Sequence, residues 1–402
     1  MRISSGTFRS GQFSSMAAIL FGLVLGGCGG GMTATNTVPP QAPQTPQTPQ
    51  TQSGSFAFVA NENSNNVSVF QVDASSGELV PVAGSPVPTD LGPEYLAVDP
   101  SSKFLFVGNA GSNTVSAFQI DATSGKITPA PGSPFVSGAR PEGVAVDPMG
   151  RFVFVANQAS GSISVFNIGA SGALTPIAGS PFPASSPFDV VVNPTGTVLF
   201  ASNFPDSQVS DLNTVSAFQI GANGALSQIP GSPFATASAP GFASSVGLAT
   251  DPGGKFLFVA DHMAQAVVPF NINPANGALT AASTLPTPPA SCGVSCHNNP
   301  LRVAVHPNGQ LIYATNVQAG TVSAFSLVSG GLSPIADFAT GQHPFGVALD
   351  AKGGFLYVAN KVDDDISTFS VSMTTGTLSP VGGSPFPAGG NGPVGIIIVS
   401  RP

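Results

Sequence analysis

Four charged side chains recur at one place in this sequence: Glu94, Glu142, Asp189 and Arg302 each stand just ahead of a short Val/Ala-rich run. A carboxylate so placed can take a proton from water or return one, and an arginine can hold an anionic substrate or a developing oxyanion. Phe345 and Val394 fill the same place in later units, with His343 two residues behind Phe345. Asp261 and His262 open a loop and join the candidates, with Arg302, Glu94, Glu142, His262 and His343 as catalytic groups and Asp189, Asp261 and Phe345 as binding groups. The same residues also read as the polar rim of a water-filled opening, with Arg302 neutralising its carboxylate neighbours. His306 reads as a turn residue, in a place filled elsewhere by Asp or Asn.

Other motifs suggest less. Cys292-Gly293-Val294-Ser295-Cys296-His297 is one residue longer than the haem-attachment spacing. In an oxidising compartment two cysteines this close are expected to form a local disulfide. Asp363-Asp364-Asp365 lacks the alternating acidic pattern and downstream Glu of a calcium loop, and reads as a solvated turn. There is no glycine-rich phosphate loop and no nucleophile elbow. With no Trp and 3 Tyr, an aromatic platform for sugars is not expected. No metal and no cofactor is expected.

The elements that carry these residues repeat. Between Pro141 and Pro187 lie four apolar runs, Gly143–Val146, Phe152–Ala156, Ile163–Ile168 and Ala173–Ile177, each ending in Gly, Pro, Asn, Asp or Ser. Runs of this length and composition are strands, and four strands at a near-fixed period call for a propeller or a similar array. The second strand recurs with its Asn-like ending at Asn61, Asn109, Asn157, Asn203, Asp261, Asn316 and Asn360. The third recurs with its Phe at Phe70, Phe118, Phe166, Phe218, Phe270, Phe325 and Phe369. The first strand is offset by one unit: the chain begins with a second strand and ends with a first, Ile396–Val399. The expected fold is therefore all-β, a seven-bladed β-propeller of four-stranded antiparallel blades. The C-terminal strand closes the ring by pairing in the N-terminal blade, which leaves no open sheet edge between the chain ends.

Small first strands suit the crowded axis. Second strands, apolar on both faces, suit burial between blades. Fourth strands carry Pro81, Pro129, Pro176, Pro334 and Pro380, which marks them as outermost. Pro269 falls in a third strand instead, where a bulge is expected. Long excursions after Phe204, Phe234 and Ala281 crowd one face around blades four to six, the face expected to bind.

Residues 1–27 read as a lipoprotein signal peptide: Arg2 and Arg9 precede the apolar Met16–Leu25, which is too short to span a bilayer. Leu25-Gly26-Gly27-Cys28 resembles the bacterial lipobox and implies a lipidated Cys28; simple cleavage beside an incidental cysteine is the alternative. Residues 28–54, with their Pro-Gln-Thr triplets, read as a polyproline-prone stalk and 55–402 as the propeller. A net charge of −8 with no basic cluster argues against nucleic acid or an anionic membrane surface as partner, leaving the lipid anchor as the membrane contact. The expectation is a monomer on the extracytoplasmic, periplasmic or outer-membrane side of the cell envelope, with an unidentified small-molecule or protein ligand.

The Phe-Val-Ala-Asn endings, the Asp-Pro-x-Gly-(Lys/Arg)-Phe turns and the later Gly-Ala-Leu resemble YVTN-type repeats of the seven-bladed lactonase family, which includes bacterial 6-phosphogluconolactonase. The resemblance covers roughly residues 55–402. It implies an Arg, a His and an acidic residue at the channel mouth. The family's Pro-Arg-His, apolar strand and His-Pro correspond to Pro300–Pro307, where Leu301 replaces the arginine, Arg302 the histidine, and His306-Pro307 is kept. The acidic residue after the sixth-blade Asn falls at Val317, while Asp261 fits the family's Asp after the corresponding strand, without the glycine that follows it there. On these residues an envelope-anchored binding scaffold comes first, and a lactonase-like hydrolase opening a sugar lactone at the channel mouth is the alternative.

Overall fold

A computed structural model of the chain describes residues 54–204, 214–236, 245–262, 264–282 and 299–400. Its strands form seven antiparallel sheets, each of them one blade. Blade 3 shows the order: Pro141–Val146 innermost, then Phe152–Asn157, Ser162–Ile168 and Leu174–Pro176. The ring closes as expected, with Phe56 opposite Val399, Phe58 opposite Ile397 and Ala60 opposite Gly395.

Each second strand is buried on both faces, and its two-residue period splits the burial between two neighbours. Val153 and Val155 pack with Phe106 and Ala117 of blade 2, whereas Phe154 and Ala156 pack with Leu199 and Ala201 of blade 4. The core is therefore a set of inter-blade layers rather than one central mass. A fully buried Phe such as Phe154 contributes about 2–3 kcal/mol to this packing.

The outer strand departs from the four-strand expectation. In five blades it is broken in two, and both pieces pair with the same third strand, as Leu174–Pro176 and Phe182–Pro183 do with Ser162–Ile168. The break holds a Gly-Ser-Pro turn whose Ser accepts the third-strand amide that the ladder would otherwise leave unpaired: Val165 N to Ser180 Oγ is 2.9 Å, and Val69 N to Ser85 Oγ is 2.8 Å. This explains Pro269, where the expected bulge is absent and the second-to-third pairing runs in unbroken register. Pro269 occupies the place of Val69 and Val165, whose amide bonds the serine of a Gly-Ser-Pro rather than the ladder, and the sequence from Leu279 to Asn299 has no Gly-Ser-Pro. A missing N–H costs nothing at that position.

The Asn that ends the second strand in every blade but the fifth is a clip. Asn157 Nδ2 donates to Ser162 Oγ (3.3 Å) and Ser164 Oγ (2.9 Å) of the third strand, while its Oδ1 accepts from Ser137 Oγ (2.8 Å) and Gly138 N (3.1 Å) of the loop entering the blade. Replacing it strands several buried partners at once. Asn157→Ala is expected to cost about 2–4 kcal/mol of stability, read as a lower midpoint in urea unfolding with an unchanged slope.

Candidate functional site

The mouth of the ring is shaped by one irregularity repeated in every blade. Pro141 pairs with Asn157, but the next pair is Val144 with Val155, so Glu142 and Gly143 together face Ala156 alone. Equivalent shifts follow Pro93, Pro187, Ser245, Pro300, Pro344 and Pro393. Such a bulge bends the strand and re-aims its side chains at the rim. Its first position holds Glu94, Glu142, Phe188, Val246, Leu301, Phe345 and Val394; its second holds Tyr95, Gly143, Asp189, Gly247, Arg302, Gly346 and Gly395. Asp189 and Arg302 therefore lie one residue deeper than Glu94 and Glu142, not in the same ring as the sequence suggested. Phe188 and Leu301 take the upper places; being apolar, they read in the sequence as part of the strand.

Four of the second positions are glycine because neighbouring first strands almost touch there. A Cβ on Gly143 would lie 2.7 Å from Asp189 Cα, one on Gly247 2.7 Å from Arg302 Cα, and one on Gly395 2.5 Å from Glu94 O. A side chain at this level thus needs a glycine in the preceding blade. Tyr95, Asp189 and Arg302, in blades 2, 4 and 6, each have one, and the three converge. Arg302 Nη1 lies 2.5 Å from Asp189 Oδ2, Nε donates to the Tyr95 hydroxyl, and Cζ sits 3.3 Å from the Tyr95 ring centroid. Phe188 lies on the guanidinium as well, 5.0 Å away. This group forms the floor of the mouth. Burial works against the charge on Arg302, but Asp189 and Tyr95 outweigh it and keep the group firmly protonated. Burial, more than its charged neighbours, likewise keeps the Tyr95 hydroxyl neutral.

Above the floor, a second ring follows the Asn clips, and its amides bond the carbonyls that precede the first strands: Glu62 N to Gly392 O, Gln158 N to Arg140 O, Lys361 N to His343 O. Two unlike walls result. Blades 1 to 3 present Glu62, Glu94 and Glu142, whereas Phe188, Phe204, Leu301, Val317 and Phe345 belong to one apolar cluster on blades 4 to 7. The Phe188 and Phe204 rings meet at 5.4 Å between centroids, tilted by 42°.

Two carboxyls of the acidic wall, Glu94 and Glu142, hold their protons unusually well. Burial, then repulsion from Glu142 and Glu62, raises the Glu94 pKa well above 4.5 against the pull of Lys361 and Arg302. Glu142 is also raised, by burial, although Arg140 Nε lies 2.7 Å from its Oε1. Glu62 pairs with Lys361, which in turn lies 4.8 Å from the Phe345 ring. Arg302 Nη2, Gln158 Oε1 and His262 Nδ1, all buried on the mouth, have neither a hydrogen-bond nor an ion-pair partner among the described residues. Burial lowers the His262 pKa, so this imidazole favours its neutral form.

The remaining candidates scatter. His343 is exposed, with a left-handed φ of 53°, on an open cleft of about 480 Å³ where it meets Phe345, Lys361, Asp364 and Asn391. Asp261 is fully buried and serves as the blade 5 clip, accepting from Thr236 Oγ1 (3.0 Å) and Ala264 N (2.9 Å). His306 is a turn residue that bridges to the next blade: it accepts from Asn308 N at Nδ1, which leaves Nε2 to donate to Gly353 O at 3.1 Å. Cys28, Cys292 and Cys296 lie outside the described residues, as do the middles of the excursions on blades 4 to 6. Among the described residues no three His, Cys, Asp or Glu are placed to hold a metal ion. Tyr95, Glu62, Lys361 and Gln158 escaped the sequence reading. Aligning the units on their prolines exposes Tyr95, as a tyrosine where four units have glycine.

The raised carboxylates carry a consequence for stability. A carboxyl whose folded pKa exceeds its unfolded value costs nothing when neutral in both states, and destabilises the fold as pH rises through its folded pKa. Glu94→Gln removes that cost along with the charge that Glu142, Glu62, Lys361 and Arg302 sense. The variant is expected to melt at a higher temperature than the parent at neutral pH and to lose this advantage below about pH 4.5, the unfolded value, as followed by thermal melts across pH.

A family model described as lactonase, seven-bladed β-propeller, matches residues 31–138, 130–229 and 214–394. The 6-phosphogluconolactonase of Pectobacterium atrosepticum is 26% identical over 213 residues, covering 52% of this chain and 59% of that protein. That of Formosa agariphila is 24% identical, covering 50% of this chain and 58% of the relative. The chain thus spans well under two thirds of the length of these curated relatives. Among solved structures, the periplasmic gluconolactonase of Pseudomonas aeruginosa superposes with a TM-score of 0.72 at 19% identity, over 87% of this chain and 100% of that one. A protein from Lactobacillus plantarum does so at 0.71 and 22%, over 86% and 99%. At these identities the structures speak for the fold, and the family match for descent. Seven bladed sheets, a shared closing blade and a match across nearly the whole ring agree: the chain belongs to the seven-bladed β-propeller lactonase family.

Proposed function

We propose that the mouth binds a small, uncharged cyclic ester and opens its ring with water. The observation that carries this reading is the Arg302 guanidinium, fixed by Asp189 and Tyr95 with Nη2 left unpartnered, in a mouth that also holds the proton-retaining carboxyl of Glu94. In its ionised form Glu94 takes a proton from water as the water oxygen attacks the ester carbonyl carbon. Arg302 stabilises the negative charge that gathers on the carbonyl oxygen. The ring oxygen then leaves with the proton returned by the carboxyl, giving a hydroxy acid. Gln158 Oε1 and His262 Nδ1 remain to meet ligand hydroxyls.

The charge of the mouth supports a neutral ligand rather than a phosphorylated one. Glu62, Glu94, Glu142 and Asp189 face Arg140, Lys361 and Arg302, and each of the three cations already has a carboxylate partner. A dianionic phosphate would have to compete with those carboxylates for each cation, whereas an uncharged ligand would not. A second reading, a binding scaffold without chemistry, is favoured by the Asp189 contact, which takes up part of the Arg302 charge.

Acid release from a panel of neutral and phosphorylated lactones, followed with a pH indicator, separates the readings. Turnover of neutral lactones that falls about 100-fold or more in both Glu94→Gln and Arg302→Lys is expected. Binding of the same compounds without turnover would favour the scaffold.

The envelope location is also proposed, supported by Leu25-Gly26-Gly27-Cys28 and by the periplasmic description of the Pseudomonas relative. Expressed in a bacterium that processes lipoproteins, the chain is expected in the membrane fraction, and its Cys28→Ser variant in the soluble fraction.

A further inference from the structure

We infer that Ser202 and Thr315 are positioning residues that set Asp189 and Arg302 in place across the channel floor. Each is the next-to-last residue of its second strand, the single residue that opposes the two bulge residues. The corresponding residues elsewhere are Ala60, Gly108, Ala156, Ala260 and Ala359, none with a side-chain hydroxyl. Hydroxyls thus occur at this place only in blades 4 and 6, the two blades whose bulges carry the floor's ion pair.

The bonding matches the distribution. Ser202 Oγ accepts from Asp189 N at 3.0 Å and donates to Val246 O of the next blade at 2.6 Å. Thr315 Oγ1 accepts from Arg302 N at 3.2 Å and donates to Phe345 O of its next blade at 2.9 Å. Each hydroxyl gives a partner to an amide that the bulge takes out of the ladder, and ties it to the neighbouring first strand. Both are fully buried, so no water substitutes for them. The Asp189 carboxylate is then aimed by two further amides, Val190 N at 2.9 Å and Leu248 N at 3.0 Å. Arg302 is thereby held from its backbone through Thr315 and from its tip through Asp189. A charged group fixed in advance needs no reorganisation when charge develops on a ligand. This inference rests on the proposed hydrolysis for its kinetic consequence, though not for its structural one.

Ser202→Ala and Thr315→Ala install what most other blades already carry, so the fold tolerates them; Ser202→Thr and Thr315→Ser return the hydroxyl. Two readouts are taken on the intact chain. The first is the Nε–H resonance of Arg302 in protein labelled with 15N-arginine, assigned by its disappearance in Arg302→Lys. The second is kcat and KM on whichever neutral lactone the parent turns over. In both alanine variants the Arg302 Nε–H is expected to exchange with solvent roughly tenfold faster, and kcat to fall roughly tenfold with KM within about twofold. The hydroxyl-restoring variants are expected to recover both. A lower melting temperature with an unmoved Arg302 signal and unchanged kcat would reduce the two hydroxyls to fold stabilisers and overturn the inference. An Arg302 signal that responds as expected, in a protein that turns over no lactone, would uphold the positioning role and reject the proposed function instead.

Discussion

Close approach of the first strands near the axis governs this structure. At the second bulge position, adjacent blades come within a Cβ of one another, and glycine is the only residue that admits a side chain from the blade that follows. The rule permits side chains in alternate blades, and the chain uses blades 2, 4 and 6 for Tyr95, Asp189 and Arg302. A backbone packing constraint thus becomes a chemical one. The floor of the channel can hold a small polar group, and its members must come from residues far apart in sequence.

Electrostatics at the floor and at the rim differ for a reason of the same kind. Arg302 is stripped of water but meets a carboxylate that three backbone or guanidinium donors hold in place, so its charge persists. Glu94 is stripped of water too, is crowded by two other carboxyls and has no paired cation to offset this, so its proton persists instead. The proposed hydrolysis draws on this difference: a cation that stays charged and a carboxyl that resists ionisation share one mouth. An apolar wall that includes Phe188, Phe204, Leu301 and Phe345 lines the other side of the mouth.

Departures from the repeat are informative where they are matched by a second departure that contacts them. Asp189 and Ser202 deviate together in blade 4, and Arg302 and Thr315 in blade 6. Pro269 deviates beside a missing Gly-Ser-Pro turn, which makes it a structural pairing rather than a functional one. Asp261 replaces a clip Asn where the third strand offers Ala266 and Val268 in place of hydroxyls, so its carboxylate turns to Thr236 and the Ala264 amide.

The sequence alone determined the strands, their order within a blade, the number of blades and the closure of the ring. Those features rest on local periodicity, turn residues and the offset between the first and last repeats. It also brought Glu94, Glu142, Asp189 and Arg302 forward as one set, because charge just ahead of an apolar strand is conspicuous. Only the tertiary structure decided that the set divides into a rim and a floor, since a bulge adds one residue without altering the apolar pattern. It alone brought Tyr95 onto Arg302, 207 residues away, and gave Ser202 and Thr315 their roles. Contacts across an axis depend on the rotation from blade to blade, and no spacing along the chain records that angle.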